Sequence, residues 1–149
     1  MTNKKIVILV SVAAMVLAAI ILPPVVSRYK ERALQREAKA NLKSIYKSEQ
    51  AYFSRNGFYA DKFNELNWAP EKNINYSYYL SLRERYAGDA APVPLPDQIK
   101  PFVEKDKFKI AAVANIDTDS FLDVWIINEK GKLKNIQDDV LNKCKDVEK

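Results

Sequence analysis

The N-terminal part of the chain is continuously apolar before its pattern changes to a helical one. Residues Ile6–Val26 form a run of 21 residues without a charge. At 1.5 Å per residue, a helix of that length matches the roughly 30 Å hydrocarbon core of a bilayer. The run therefore predicts a transmembrane helix that anchors the protein. The alternative is a cleaved secretory signal, with Lys4 and Lys5 as its charged region.

Two adjacent prolines, Pro23 and Pro24, lie near the outer end of this run. Because a proline inside a helix removes one hydrogen bond and clashes with the preceding turn, we expect a kink or a short non-helical stretch there. The residues expected to contact lipid or neighbouring helices are Ile6, Val10, Leu17, Ile20, Pro23 and Pro24. Basic residues are commoner after the run than before it. By the positive-inside rule alone, the rest of the chain would lie in the cytoplasm.

The next segment, residues 28–55, has the period of an amphipathic helix. A mostly apolar stripe recurs at spacings of three and four: Leu34, Ala38, Leu42, Ile45, Glu49 and Tyr52 or Phe53. Neither proline nor glycine occurs between Val25 and Asn56, and Gly57 then supplies a C-terminal stop. We therefore predict one helix that continues the anchor. The side chains expected to pack it against the following domain are Leu42, Ile45, Tyr52 and Phe53.

Residues 56–136 carry the alternation that is typical of antiparallel strands. Strands are predicted over 74–82, 108–113, 121–127 and 132–136, with a hairpin turn at Asn128–Gly131. The proline-rich segment 83–107 is predicted as a surface loop, with a short helix at Pro96–Val103 as an option. Residues 137–149 are predicted as a charged tail. The fold class is therefore α+β: residues 1–27 and 28–55 form the two halves of a long helix, packed on a 3–4-stranded antiparallel sheet.

The composition excludes several kinds of site. The chain has no histidine and one cysteine, Cys144, which excludes an intramolecular disulfide, Cys–His zinc sites and histidine-based catalysis. The sequence contains no acid/base pair or phosphate-binding loop, so we expect neither enzymatic activity nor a small-molecule substrate.

The positive charge is concentrated on the amphipathic helix. Residues 28–55 carry eight basic residues against three acidic ones, a net charge of +5. Because this face, from Arg28 to Lys47, follows a membrane segment, anionic lipid or the acidic surface of a neighbouring subunit is a nearer partner than nucleic acid. A plain solvated face is an equally good interpretation.

Carboxylates are densest in the segment 115–123. Asp117, Asp119 and Asp123 could supply several of the six to eight oxygens that calcium prefers. The turn glycine and distal glutamate of the usual calcium loop are missing, so a loop held by Asx-turns is the favoured interpretation and calcium the alternative. No other cofactor is expected.

Five aromatic residues cluster around the end of the predicted helix: Tyr46, Tyr52, Phe53, Phe58 and Tyr59. We expect them to pack the helix onto the sheet, because aromatic side chains bury large areas where two layers meet. A stacking surface or an electron path along a filament is the alternative.

Five segments resemble those of type IV pilins and pseudopilins. Residues 17–23, LAAIILP, resemble the apolar L-A-A-I-A-I-P stretch of pilins, and residues 36–46, REAKANLKSIY, resemble E-A-x-x-N-L-x-x-I. Residues 50–59, QAYFSRNGFY, resemble Q-x-x-Y-x-x-x-x-G-x-Y. The pair NIDTD at 115–119 and DVWIIN at 123–128 is similar to the end of some bacterial pilin heads.

The resemblance implies a structural subunit of a type IV pilus or a type II secretion pseudopilus. Such subunits form homo- or hetero-polymers in which apolar helices bundle and heads face outwards. The resemblance also implies a single-pass protein of the bacterial inner membrane with a periplasmic head, and an extracellular filament after assembly. A periplasmic head is the opposite of what the positive-inside rule predicts.

The opening residues depart from the pilin pattern. The glycine of the prepilin peptidase site would fall at about Met1 and the register-setting glutamate at Lys5 or Ile6, and neither is present. The alternative function is therefore a non-polymerising membrane protein of pilin fold that acts as an assembly accessory or partner-binding module.

Overall fold

The computed structural model describes the backbone of residues 2–70, 74–87, 92–117, 119–141 and 143–144. The side chains of these residues are described too, except at 2–14, 18, 20–25, 143 and 144. The part of the chain from residue 57 to residue 144 is called the head.

One helix, α1, runs from Thr2 to Asn56. It is continuous through Pro23 and Pro24, so the non-helical stretch predicted there is wrong. Proline already has the φ angle of a helix, and the flanking turns hold the backbone where its hydrogen bonds are missing. The predicted stop is confirmed. Gly57 adopts a φ of +77° and its N–H donates to the Phe53 carbonyl at 2.8 Å.

No helix among the described residues combines the length and the apolar character needed to cross a membrane. The span predicted over Ile6–Val26 is therefore not confirmed. Of the residues expected to contact lipid or neighbouring helices, Leu17 is exposed. The other side chains lie outside the described residues: Ile6, Val10, Ile20, Pro23 and Pro24.

The described strands of the head form one antiparallel sheet. They are β1 (Ser77–Tyr79), β2 (Arg85–Tyr86), β3 (Phe102–Val103), β4 (Phe108–Ala114), β5 (Asp123–Asn128), β6 (Leu133–Asp138) and β7 (Lys143–Cys144). The order is β2-β1-β4-β5-β6-β7, and β3 pairs with the first residues of β4. A short 3-10 helix, Phe63–Glu65, precedes the sheet.

The two faces of the sheet are covered differently. Ile110, Ala112 and Ile127 lie on the face that packs in one core with Leu42 and Ile45 of α1. Fully burying a Leu or Ile side chain stabilises a fold by roughly 1.5–3 kcal/mol, so Leu42 and Ile45 help to hold the helix on the sheet. The predicted α+β fold, a long helix on an antiparallel sheet, is therefore confirmed.

The opposite face of the sheet carries a second core that includes Val113, Val124 and Ile136. The proline-rich segment from Val93 to Ile99 covers it, so this segment is less exposed than a surface loop would be. Its position is fixed by the Tyr79 hydroxyl, which donates to the Val93 carbonyl at 2.6 Å.

Three details of the predicted sheet are wrong. It has more than the three or four strands predicted. Strands β2, β3 and β7 were not predicted because each spans two residues, too few to show an alternating pattern. Strand β3 lies where a short helix at Pro96–Val103 was an option. The sheet also extends past Ile136 into the predicted tail, through β6 and β7. Asp138 and Asp139 are buried there. The Gln35 side chain donates to Asp138 Oδ1, and the Ile116 N–H donates to Asp139 Oδ2.

Candidate functional site at the junction of helix and head

A buried carboxylate, Asp123 at the start of β5, lies at the centre of the junction between α1 and the head. Its Oδ1 accepts hydrogen bonds from the Gln35 side chain at 2.8 Å, the Asn135 side chain at 3.1 Å and the Asp139 backbone N–H at 3.3 Å. A buried carboxylate is costly unless donors surround it. Here those donors come from α1, from β6 and from the residue that follows β6.

The second oxygen of the same carboxylate is also satisfied. Asp123 Oδ2 accepts from the Tyr76 hydroxyl at 2.6 Å and from the indole N–H of Trp125. Burial raises the pKa of Tyr76, and the adjacent Asp123 carboxylate raises it further. The hydroxyl therefore keeps its proton and stays a donor at physiological pH.

Gln35 connects one turn of α1 to two strands. Besides its bond to Asp123, its Nε2 donates to Asp138 Oδ1 at 2.9 Å, and its Oε1 accepts from Arg32 Nη1 at 2.9 Å. The guanidinium of Arg32 lies 3.9 Å from the Asp138 carboxylate, but its side chain is 45% exposed. Partly exposed ion pairs contribute little to stability. The buried amide of Gln35 is therefore the main polar link between the helix and strands β5 and β6.

Two further polar contacts fix α1 beside strand β1. The Asn41 side chain donates to the Tyr78 hydroxyl at 2.8 Å. The Glu37 carboxylate accepts from the backbone and side-chain N–H groups of Asn75 at 2.8 and 2.7 Å. The rotation of the helix about its own axis is thus set by directional bonds as well as by apolar packing.

At the C-terminal end of α1, Glu49 is buried on the stripe that faces the head. Its Oε2 accepts from the Ala60 N–H at 3.0 Å, and its Oε1 has no hydrogen-bond partner among the described residues. Burial raises the pKa of Glu49 to about 7, the Ala60 bond opposes this, and the charge of Glu65 adds to the rise. Glu49 therefore changes charge near neutral pH.

The side chains expected to join helix and head lie at this junction. Leu42 and Ile45 are fully buried in the core, and Tyr52 and Phe53 are partly buried against it. Aromatic rings continue the contact, and their centroid distances are 4.6 Å for Phe53–Tyr59, 4.8 Å for Tyr59–Phe108, 6.3 Å for Tyr46–Phe108 and 5.7 Å for Tyr52–Phe58. Of the five aromatic residues predicted to cluster, Phe58 is exposed.

The face of α1 that points away from the head is basic. Its exposed residues, together named the basic surface, are Arg28, Lys30, Arg36, Lys43 and Lys47. Arg32 lies at the edge of this surface, where its guanidinium reaches Gln35 and Asp138. Lys39 also lies at the edge, with its Nζ 4.6 Å from the ring centroid of Trp125. Val26 and Tyr29 are exposed at the N-terminal end of this surface.

The three aspartates predicted as calcium ligands do not come together as a set. Asp117 and Asp119 are exposed in the loop between β4 and β5, whereas Asp123 is buried and uses both carboxylate oxygens within the junction. The carboxylate that joins Asp117 and Asp119 is Asp139, and oxygens of these three groups lie within 4.8 Å of one another. Burial raises the pKa of Asp139 to about 6. The Ile116 N–H opposes this rise, and the nearby aspartates add to it.

Several residues of the junction were not predicted from the sequence: Gln35, Tyr76, Asn135, Asp138 and Asp139. Gln35 carried a usable signal, because it lies three positions before Ala38 and seven before Leu42, on the helical stripe that faces the core. The others depend on strand pairings between segments that are distant in sequence.

Comparison with known proteins identifies the family of the chain. The family model for type IV pilin PilA matches residues 29–138, which is most of the chain. A relative named type IV major pilin protein PilA, from Myxococcus xanthus (strain DK1622), is 36% identical over 107 residues. The match covers 68% of this chain and 47% of the relative, so the chain spans about half the length of the relative. The chain belongs to the type IV pilin PilA family.

Proposed function

We propose that this protein is a structural subunit of a type IV pilus. In the filament, α1 of each copy packs beside α1 of neighbouring copies, and the heads lie outside this bundle. The single observation that carries the proposal is the division of α1 into two faces. One face is fixed to the head through Gln35, Asp123 and the apolar core, while the basic surface remains open to a partner.

A type IV pilus is proposed rather than a type II secretion pseudopilus, because both the family model and the relative are type IV pilins. The partners are other pilin subunits, and acidic side chains on the neighbouring subunit complement the basic surface. The role is structural and not enzymatic. A structural role is supported by the hydrogen bonds among the buried polar groups of the junction, which fix the position of the helix on the head.

The proposal includes a membrane-anchored stage before assembly. The uncharged run Ile6–Val26 holds the subunit in the bacterial inner membrane as a single-pass protein, in contact with lipid, with the head in the periplasm. After assembly the same run joins the helix bundle of an extracellular filament. The support for this stage is the length and composition of the run.

Shearing of cells that express the full chain tests the proposal. The expected result is that the chain is recovered in the sheared filament fraction as well as in the membrane fraction. Retention of all of the chain in the membrane fraction, in cells that assemble pili, would instead favour a non-polymerising accessory of pilin fold.

A further inference from the structure

A group of three carboxylates lies beside the junction, where the loop after β4 meets the residue that follows β6. Asp117 and Asp119 come from the loop after β4, and Asp139 directly follows β6. One oxygen from each lies within 4.8 Å of the other two. The Asp117 and Asp119 carboxylates accept from the backbone N–H groups of Asp119 and Phe121, as in Asx-turns. Three negative groups close together still repel one another, and a bound cation or protons would relieve that repulsion.

Asp139 gives an independent indication that a ligand belongs there. Its side chain is 1% exposed, and its Oδ2 accepts a hydrogen bond from the Ile116 N–H at 3.0 Å. Its Oδ1 is buried and has no hydrogen-bond partner among the described residues. A buried carboxylate oxygen without a donor is costly to the fold. A cation bound to the three carboxylates would remove that cost.

We propose that Asp117, Asp119 and Asp139 bind a calcium ion that ties the β4–β5 loop to the end of β6. The ligands are all carboxylate oxygens, and two of the three are exposed, so water can complete a shell of six to eight oxygens. Magnesium gives up its water reluctantly, and zinc prefers nitrogen and sulfur ligands. Asp123, the third ligand expected from the sequence, is replaced by Asp139 because its own oxygens are occupied by the junction.

The test is isothermal titration of calcium into the chelator-treated full chain in detergent, with thermal unfolding measured in parallel. One calcium ion per chain and a higher unfolding temperature with calcium are expected. Asp117→Asn and Asp139→Asn should each weaken binding by roughly tenfold or more, because affinity follows the number of charged ligands. Asp97→Asn, which removes an exposed carboxylate elsewhere on the head, is the matched control and should bind as the wild type does.

Asp117 is exposed, so its variant tests the site even if Asp139→Asn fails to fold. Wild-type affinity in Asp117→Asn, an equal loss in Asp97→Asn, or no binding at millimolar calcium would overturn the proposal. Titration of magnesium in the same way should give an affinity at least about tenfold weaker. Equal affinity for the two ions would overturn the choice of calcium.

Discussion

Gln35 and Asp123 are 88 residues apart in the sequence, and a buried hydrogen bond of 2.8 Å joins them. The bond connects the middle of α1 to the first residue of β5, at the point where the helix crosses the sheet. Because Gln35 also donates to Asp138, and Asn41 of the same helix donates to Tyr78, a movement of the helix would break several buried bonds together. This polar junction therefore holds the helix and the head in one orientation.

The first prediction concerns Gln35→Glu. The variant places a third carboxylate beside Asp123 and Asp138, and Arg32 can compensate only part of the added charge. The free energy of unfolding should fall by about 3 kcal/mol or more at pH 7.5, since an unpaired buried charge is strongly destabilising. It should recover partly at pH 5, where carboxylates begin to be protonated. Denaturant unfolding of the full chain in detergent measures both values.

Gln98→Glu makes the same substitution at an exposed position of the head and serves as the control. It should change the free energy of unfolding by no more than about 0.5 kcal/mol. If the two variants have equal stability, the buried amide of Gln35 is not what holds the helix to the sheet.

The second prediction concerns how the free energy of unfolding depends on pH through Glu49. The pKa of Glu49 in the folded protein is about 7, above its ordinary value of 4.5, so between these pH values the folded state holds a proton that the unfolded state has lost. The contribution of Glu49 to the free energy of unfolding is greatest at low pH. It falls by about 3 kcal/mol in total as the pH rises from 4.5 to 7. In Glu49→Gln this loss should be absent. The difference in free energy of unfolding between the variant and the wild type should therefore grow across that range.

Asp139, whose pKa is raised to about 6, contributes a fall of the same sign in both proteins and cancels in that difference. Glu65→Gln is the control, because it removes an exposed neighbouring charge but keeps the buried carboxyl. It should retain the pH dependence, with its midpoint moved slightly lower. A difference between Glu49→Gln and the wild type that is the same at pH 4.5 and pH 7.5 would contradict the assignment.

The third prediction concerns Gly131 in the β5–β6 turn. Its φ is +71°, and a Cβ added there would lie 3.2 Å from the Tyr46 ring of α1. Gly131→Ala should lower the free energy of unfolding by about 1–2 kcal/mol, through backbone strain and contact with the ring. Gly57→Ala has a similar φ of +77° with no atom within 4 Å, so it isolates the strain. Equal losses in the two variants would show that the Tyr46 contact is not tight.

The parts of the fold that follow from local sequence were the parts that could be predicted. The stop of α1 at Asn56 and the hairpin at Asn128–Gly131 depend on neighbouring residues, and the structure contains both. Asp123 was expected beside Asp117 and Asp119 because the three carboxylates are close in sequence. Its burial depends on Gln35 and on the pairing of β5 with β6, which no local pattern encodes. The same is true of Asp139.

The fourth prediction concerns the basic surface. Arg36→Glu and Lys43→Glu, combined, should leave the unfolding temperature nearly unchanged, because both residues are exposed and lie away from the core. The amount of chain in sheared filaments should fall severalfold, since the variant reverses the charge that the proposed packing places against a neighbouring subunit. The control is Lys100→Glu with Lys105→Glu, two exposed changes on the head, which should assemble normally. Undiminished filaments from the helix variant would exclude the basic surface as an assembly contact.

Electron cryomicroscopy of sheared filaments tests the central claim most directly. We predict that α1 helices of adjacent copies contact one another in the filament core. The heads should lie outside, and Gln35 should still contact Asp123 within each copy. Filaments in which the heads form the core, in which the helix has separated from Asp123, or from which this chain is absent would contradict the account.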